Sequence, residues 1–525
     1  LTIIASVAVG LLLLLVLRSP RFLLWAALPT ATGALAGLAV VSAVFGSVHG
    51  ITLGFGLTLV GEAVDYAVYV QVQRQREQNT YLWRGLWLAV LTSSAGFAAM
   101  MLSGFAGLAQ LGLMSIVGIA VAAVIARFLL PDVLRPLDAS RLARLAPFAR
   151  YSMTAPQLRV AVALIGVASL ALLIVRGDRL WNDELAAISP LARGSGEMDA
   201  RLRGSTGLGD LRFVLAAEGA TIDQALSRAE ALHDRLRELQ ARSAIAGFDS
   251  PAMLVPSAAT QQARRSALPD ATTLRARLTP ALADGALRAE AFEPFIDDVQ
   301  RARELALGPD YYAGTALGQR LAAQLVQRTA SEAAALITLT GVNDAAAVAA
   351  AVQNVPGVSF IDLADVQALV AQYRVRAVWA ALGGGVLIIL ILAVQLRNLR
   401  ATARISASVA TSIVITAAAL LLIEGRLTLF HLVALLLAGG VGANYAVFLG
   451  MPRDGQQAPS ASLPIMLSVM LAAATTLLAF TALAMSATPV LHMIGITVAI
   501  GGPVALVVSM ALAAPAAPES TASPA

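Results

Sequence analysis

The sequence predicts a polytopic α-helical membrane protein with a duplicated helical core and one soluble α/β domain. Three observations predict this fold class: repeated apolar segments of about 20 residues, an internal repeat between the two halves, and one long polar stretch between them. Of the 525 residues, 58% are hydrophobic and only 13% are charged, a balance outside the range of ordinary soluble domains.

Apolar runs of spanning length predict about eleven transmembrane helices. The predicted spans are 1–17, 22–46, 51–72, 85–104, 108–130, 158–175, 377–396, 403–423, 429–450, 463–485 and 489–513. The first span begins without an initiator Met and without a charged region before it. We therefore expect a chain that is truncated at its N-terminus, with an opening helix and a first outer domain upstream.

Arginine placement predicts the orientation in the membrane. The chain contains no Lys, so every Lys/Arg charge behind the net charge of +5 is an Arg, and most loop Arg residues fall in alternate connections. The opposite short loops carry only Arg426. By the positive-inside rule the Arg-rich connections are cytoplasmic, which places residues 176–376 outside. This topology accounts for the positive charge without a nucleic-acid partner.

Residues 176–376 have the pattern of a separate α/β domain. Two strand–helix–strand units are predicted, at 211–217, 221–242 and 244–248, and again at 333–340, 343–355 and 358–363. They flank a helical insert at about 259–328, which together indicates a split, ferredoxin-like domain. The predicted domain limits are 1–157 for the first membrane half, 158–175 for the helix leading outward, 176–376 for the outer domain, 377–514 for the second half and 515–525 for a disordered tail.

An internal repeat relates the two membrane halves. At an offset of 383, Leu88, Thr92, Phe97, Gly112 and Gly118 align with Leu471, Thr475, Phe480, Gly495 and Gly501. At an offset of 379, Gly61, Asp65 and Tyr66 align with Gly440, Asn444 and Tyr445. Parallel repeats are typical of transporters, in which two copies move against each other around a site at their interface.

Two acidic residues, Glu62 and Asp65, lie inside the third predicted span. An acidic side chain at bilayer depth costs about 2.5–3.5 kcal/mol on insertion scales, so it usually has a function. Asp65 is about 21 Å along a helix that starts near residue 51, somewhat past the middle of the membrane core. Desolvation there disfavours the charged carboxylate, which suits a group that takes up and releases a proton. The alternative is that both acids only form hydrogen bonds to neighbouring helices.

Other polar residues on the repeat helices are candidates for the same proton pathway. Tyr66, Asn444 and Tyr445 could extend a relay from Asp65, although a buried Tyr is as often a packing residue. Hydroxyl groups that could bridge the relay come from Thr92, Ser93, Thr475 and Thr476, for which structural hydrogen bonding between helices is at least as common.

The sequence argues against catalysis and against nucleotide-driven transport. Cysteine is absent, the four His residues have no metal-ligand spacing, and no phosphate-binding loop ending in Lys is present. We therefore expect no enzyme activity, no metal and no cofactor. Any transport would draw on an ion gradient or on a separate energising subunit.

The motifs resemble those of the resistance-nodulation-division superfamily, and within it the MMPL-type exporters of Gram-negative bacteria. The resemblance rests on residues 61–69, 92–97, 103–108 and 488–492 with Gly495, and it extends over essentially the whole chain. It implies proton-driven export of a lipid or another amphiphile from the bacterial inner membrane towards the periplasm. The resemblance also implies that residues 176–376 are periplasmic. In this family the Asp-Tyr pair of the fourth helix is the proton site, which matches Asp65-Tyr66.

The chain departs from the resemblance at one position. Well-known members carry a second Asp-Tyr pair where this sequence has Asn444-Tyr445, which leaves the proton stoichiometry open and makes Glu62 a candidate second acid. The expected partners are the bilayer, a lipid or amphiphilic substrate, and a periplasmic acceptor protein or a second copy of the chain. A non-transporting membrane scaffold or lipid-sensing module is the alternative function.

Overall fold

The computed structural model describes residues 2–50, 52–54, 63–73, 79–134, 156–183, 212–282, 288–329, 331–452 and 463–514. The chain folds as two compact units. The first combines Leu1–Pro190 with Ala368–Ala525, and the second is Leu191–Gln367. The first unit contains the apolar helices, and the second contains the sheet.

The described part of the first half of the membrane unit consists of helices and short connections between them. A short helical turn at Leu130–Val133 follows its fifth helix. The helices are α1 Thr2–Leu17, α2 Pro20–Phe45, α3 Ala63–Gln73, α4 Asn79–Met101, α5 Ala106–Phe128 and α6 Pro156–Arg176.

The second unit contains a mixed set of strands and helices. Its elements are β1 Phe213–Gly219, α7 Ile222–Ala241, β2 Gly247–Asp249, α8 Ala258–Ala267, α9 Ala271–Ala281, α10 Glu293–Glu304, α11 Ala316–Gln324, β3 Leu325–Thr329, β4 Glu332–Thr340, α12 Ala345–Val352 and β5 Val358–Asp362.

The second half of the membrane unit repeats the helical pattern. Its helices are α13 Leu363–Leu396, α14 Leu399–Glu424, α15 Leu429–Gly450, α16 Leu463–Ala484 and α17 Pro489–Val508, which continues as a π-helical turn over Ser509–Ala513. Helix α13 starts well before the predicted span at 377, and its first residues belong to the second unit.

Eight helices in the described part of the chain are long and apolar enough to cross a membrane, namely α2, α5, α6 and α13 to α17. This confirms a multi-pass membrane protein, but the predicted count of eleven spans is not confirmed. Helix α1 is short, and α3 is described over only 11 residues. The helices differ in burial: 89% of the apolar stretch of α15 is buried, whereas only 6% of the apolar stretch of α6 is buried. Helix α15 therefore lies at the centre of the unit and α6 at its rim.

The repeat extends to the backbone conformation at the helix ends. Arg18 and Arg397, which are 379 residues apart, both have φ of 49°. The next residues, Ser19 and Asn398, both cap the following helix through their side chains. Helices α2 and α14 have 26 residues each and are followed by the C-cap residues Gly46 and Gly425. The positive φ values of these two residues, 70° and 78°, favour glycine. The two halves are therefore duplicated in local structure as well as in sequence.

Close packing inside each half depends on a pair of repeat glycines. A Cβ atom at Gly112 would lie 2.5 Å from the carbonyl oxygen of Phe97, so α5 can approach α4 only because the side chain is absent. The repeat equivalent, Gly495 in α17, would meet the backbone of Ala484 at the end of α16 in the same way. Small residues at helix crossings are the usual route to tight packing in membranes.

We expect Gly112→Ala and Gly495→Ala to destabilise the membrane unit. Each added methyl group collides with backbone atoms that cannot rotate away, and overpacking of this kind costs about 1–3 kcal/mol. The measurement is thermal unfolding in detergent. Gly96→Ala in α4 is the control, because nothing lies within 4 Å of a Cβ atom there. Equal melting temperatures for all three variants would contradict this packing scheme.

The second unit confirms the predicted ferredoxin-like topology. Its sheet has the order β2-β4-β1-β5 with every pair antiparallel, and α7 and α12 connect the strands of the two βαβ units. The predicted boundaries of the second strand and of the helical insert were wrong. The second strand covers Gly247–Asp249 instead of 244–248, and the end of the predicted helical insert is strand β3, which pairs with β4.

A half-buried histidine lies beside the sheet of this unit. His233 in α7 forms a hydrogen bond through Nε2 with Ser250 Oγ at 3.0 Å and contacts the ring of Phe248. Burial lowers the pKa of His233 below its usual 6.5, with Arg237 adding to the effect. The unfolded chain therefore binds a proton more readily than the folded domain does as the pH falls below about 6.5.

We expect protection of strand β1 from amide exchange to decrease between pH 7 and pH 5, and His233→Gln to reduce this dependence. Gln retains a hydrogen-bonding side chain for Ser250 but does not titrate. Asp362 does not interfere, because the hydrogen bond from Arg212 holds its pKa below the usual range and so below this window. Mass-spectrometric exchange, corrected for intrinsic rates, provides the measurement. An unchanged pH profile in His233→Gln would rule out His233 as the source.

Candidate functional site

Asp65 is buried at the interface between the two membrane halves. It lies in the first turn of the described part of α3, with 5% of its surface exposed. Thr475 of α16 donates a hydrogen bond from Oγ1 to Asp65 Oδ1 at 3.0 Å. Because α3 and α16 come from different halves of the repeat, this contact joins the predicted proton site to the opposite copy.

The repeat equivalent of Asp65 makes the corresponding contact in the other direction. Asn444 of α15 is also 5% exposed, and Ser93 of α4 donates a hydrogen bond to its Oδ1 at 3.4 Å. Helix α3 therefore packs on α16 while α15 packs on α4, which is the crossed arrangement expected of a pseudo-twofold axis.

The two sides of this axis differ in chemistry. Asp65 can carry a negative charge, whereas Asn444 is always neutral. Within the described residues, no Arg or His forms an ion pair with Asp65. Thr475 is thus the one hydrogen-bond donor that the described part of the structure places on this carboxyl group.

The remaining candidate hydroxyl groups have different surroundings. Thr92, the repeat equivalent of Thr475, donates to the carbonyl oxygens of Leu88 and Ala89 in its own helix. Thr476 has its methyl group towards Gly502 of α17, where an added Cβ atom would lie 3.8 Å away. Thr475 and Ser93 therefore form hydrogen bonds across the repeat interface, to Asp65 and Asn444. Thr92 does not, because its hydroxyl group is bonded within its own helix.

The predicted tyrosines are buried beside these contacts. Tyr66 is 1% exposed and Tyr445 is 0% exposed, so both belong to the core around the interface. Glu62, the predicted second acid, lies outside the described residues, as does Gly61. Whether the predicted relay passes through these side chains stays a prediction.

Further contacts across the same interface were not predicted. Gln73 donates from Nε2 to Ser468 Oγ at 2.6 Å, two turns beyond Asp65 along α3. Tyr81 of α4 donates to the carbonyl oxygen of Phe448, and the rings of Tyr69 and Phe448 lie 4.3 Å apart. Gln73 follows directly on the predicted span 51–72, and a polar side chain at the end of an apolar span is the sequence signal that could have indicated the first contact.

Small residues let the motif helices approach each other. A Cβ atom at Gly440 would lie 3.7 Å from Ser93 Oγ, so α15 and α4 are in contact at the level of the Asn444 site. A Cβ atom at Gly442 would lie 2.9 Å from Ala505 of α17, tighter than ordinary contact. Gly440 thus allows contact between α15 and α4, and Gly442 allows the closer approach of α15 to α17.

The described part of the second unit carries paired charges on its surface. Arg275 forms an exposed ion pair with Glu293 at 2.7 Å, as is usual on a solvated helix face. No group of three or more His, Asp or Glu residues is positioned to hold a metal ion among the residues described. His233 and Asp234 have separate partners, Ser250 and Arg237.

Two solved structures are similar in fold to this chain. A heavy metal efflux pump matches over 97% of this chain with a TM-score of 0.54 and 13% identity, and SecDF from Thermus thermophilus matches over 98% with a TM-score of 0.50 and 15% identity. Both belong to the resistance-nodulation-division superfamily. This chain has the same fold. It covers 66% and 60% of the length of those two chains.

The similarity to the resistance-nodulation-division proteins is one of fold. At 13–15% identity it carries no information on cargo. No family model and no curated protein matches the sequence. The predicted fold class is therefore confirmed, whereas the MMPL subtype stays a prediction.

A double-mutant cycle tests the bond between Asp65 and Thr475. We expect Asp65→Leu, which has no hydrogen-bond acceptor, and Thr475→Val to be non-additive in the free energy of unfolding, with a coupling of about 0.5–3 kcal/mol. The matched cycle pairs Asp65→Leu with Thr92→Val, which removes an equivalent hydroxyl that is bonded within its own helix. Unfolding in mixed micelles gives the energies. Similar coupling in both cycles would show that the Asp65–Thr475 contact is not specific.

Proposed function

We propose that this chain is a proton-driven secondary transporter that exports a lipid or another hydrophobic or amphiphilic small molecule from the inner membrane towards the periplasm. The observation that carries the proposal is the buried carboxyl group of Asp65 at the interface of the two repeated halves, bonded to Thr475 of the opposite half.

The chemistry of this contact supports coupling between a proton and a conformational change. A charged carboxylate buried without a cation is costly, and one hydroxyl donor offsets only part of that cost. Proton binding removes the charge and changes the hydrogen bonding available between Asp65 and Thr475. Because the two residues belong to different halves, protonation changes the free energy of one arrangement of the halves relative to another.

The asymmetry of the interface suggests how the proton is handled. Asn444, which accepts the hydrogen bond from Ser93, is neutral and does not titrate. The change in charge on proton binding is therefore concentrated on the Asp65 side of the interface. In this proposal Asp65 carries the proton and Thr475 positions its carboxyl group. Tyr66, Tyr445 and Glu62 remain proposed members of the pathway.

The cargo is the part of the proposal that rests on the motifs alone. One solved relative in fold is described as a heavy metal efflux pump and another as a translocon-associated membrane protein. Such different roles on one fold mean that the fold does not define the cargo. The proposal of a lipid or amphiphile rests on the resemblance of residues 61–69 and 103–108 to MMPL-type exporters.

We expect Asp65→Asn to abolish export, because Asn matches Asp in size but cannot bind and release a proton. The measurement compares the lipids of the outer compartment between a deletion strain and strains that carry the wild-type chain, Asp65→Asn or Asp65→Glu. Wild type should restore the missing lipid, Asp65→Glu should restore it in part, and a protonophore should prevent restoration.

Thr92→Val is the matched control, since it removes a buried hydroxyl at the repeat-equivalent position and should leave export intact. Membrane insertion and thermal stability of each variant must equal those of wild type. Full export by Asp65→Asn would disprove the proton-site assignment. If the wild-type chain still restores the missing lipid in the presence of the protonophore, the scaffold or lipid-sensing alternative would be favoured.

A further inference from the structure

A groove of about 470 Å³ opens in the membrane unit where several helix ends meet. It lies between the start of α4, the end of α5, the end of α13 and the residue that follows α15. The side chains that matter for the argument below are Trp83, Arg84, Trp87, Leu91, Arg127 and Gln395.

Arg127 is the unusual feature of this groove, because it lies inside the predicted span 108–130. Its guanidinium carbon is 4.3 Å from the ring centroid of Trp83 and 5.6 Å from that of Phe128. Within the described part of the chain, no carboxylate forms an ion pair with Arg127. A guanidinium that stacks on an aromatic face still presents its N–H groups at its edge, where they fit phosphate or carboxylate oxygens.

The side chains of α4 extend this cationic end into an apolar strip. Arg84, Trp87 and Leu91 are spaced three and four residues apart and therefore share one helix face. Trp87 and Leu91 are 39% and 41% exposed, so both side chains offer apolar surface to the groove. The groove thus has two Arg residues at one end and exposed apolar surface leading away from them.

The position of the groove matches the water interface of one leaflet. The helix ends that form it adjoin the connections that the Arg distribution assigns to the cytoplasm, including Arg397 and Arg400 after α13. Trp is enriched at this depth of a bilayer, because its ring is apolar and its N–H group is polar. Arg127 does not extend away from the bundle as a snorkelling side chain would, since it covers Trp83, which is 9% exposed.

We propose that this groove binds an anionic phospholipid of the cytoplasmic leaflet. The headgroup phosphate lies between Arg84 and Arg127, and an acyl chain follows Trp87 and Leu91. The charge of the two Arg residues complements the phosphate, and the apolar strip selects an amphiphile over a free anion. This site goes beyond the proposed transport function, because lipid binding here requires neither a proton gradient nor Asp65.

The proposal is tested on the full chain in nanodiscs of phosphatidylcholine that contain a minor fraction of phosphatidylglycerol. Native mass spectrometry after release from the disc measures which lipid stays bound. We expect wild type to retain phosphatidylglycerol over phosphatidylcholine and Arg127→Gln to reduce this preference about tenfold, as loss of one charged hydrogen-bonding group would. Arg127→Lys keeps the charge but not the planar fork, so its preference should be intermediate.

Arg426→Gln is the matched control, because Arg426 is the single Arg of the short outer loops. Its lipid preference should equal that of wild type. Arg84→Gln, on the exposed side of the groove, keeps the test decisive if Arg127→Gln does not fold. Asp65→Asn should retain wild-type lipid binding, which separates failure of this site from failure of the proposed transport function.

Three outcomes would overturn the proposal. Wild type could bind the two lipids equally, or the Arg127 and Arg84 variants could keep the full preference. Inorganic phosphate could also displace phosphatidylglycerol at equal concentration, which would identify a simple anion site with no part for the acyl chain.

Discussion

The hydrogen bond from Thr475 to Asp65 is the interaction on which the membrane unit depends. A carboxyl group at this depth needs a polar partner, and the partner comes from the other copy of the repeat. This requirement brings α3 against α16, and the pseudo-twofold relation brings α15 against α4. The crossing of α15 and α4 has the small residue Gly440 at the level of Ser93.

Duplication followed by divergence explains why the interface is asymmetric. The helix ends keep the same capping residues and backbone conformations 379 residues apart, as Arg18 and Arg397 show. The centre of the interface does not keep the same chemistry, since Asp65 corresponds to Asn444. Asp65 and Asn444 are both 5% exposed, so either residue fits the packing of the interface, whereas only Asp65 can titrate. The asymmetry concentrates any proton-dependent change on one side of the axis.

The groove at Arg127 and the Asp65 site use the apolar environment in different ways. At Asp65 the surrounding core excludes water, so a change of charge has a large effect on the free energy of the interface. At Arg127 the helix ends leave one side open, and the guanidinium is held by the Trp83 ring. The first arrangement favours coupling between the halves, and the second favours recognition of an anionic headgroup.

Much of this protein was predictable because its helices are long, apolar and repeated. Hydropathy indicated the helices, the strand–helix–strand pattern indicated β1 and β4, and the repeat indicated that Asp65 and Asn444 occupy equivalent places. The sequence by itself thus determined the fold class, the topology of the second unit and the residue types at the interface. Only the tertiary structure decided that Thr475, and not Thr92, bonds across the axis, and that Arg127 stacks on Trp83 in a groove. Both depend on the rotation and crossing of helices far apart in sequence, which periodicity along one helix does not specify.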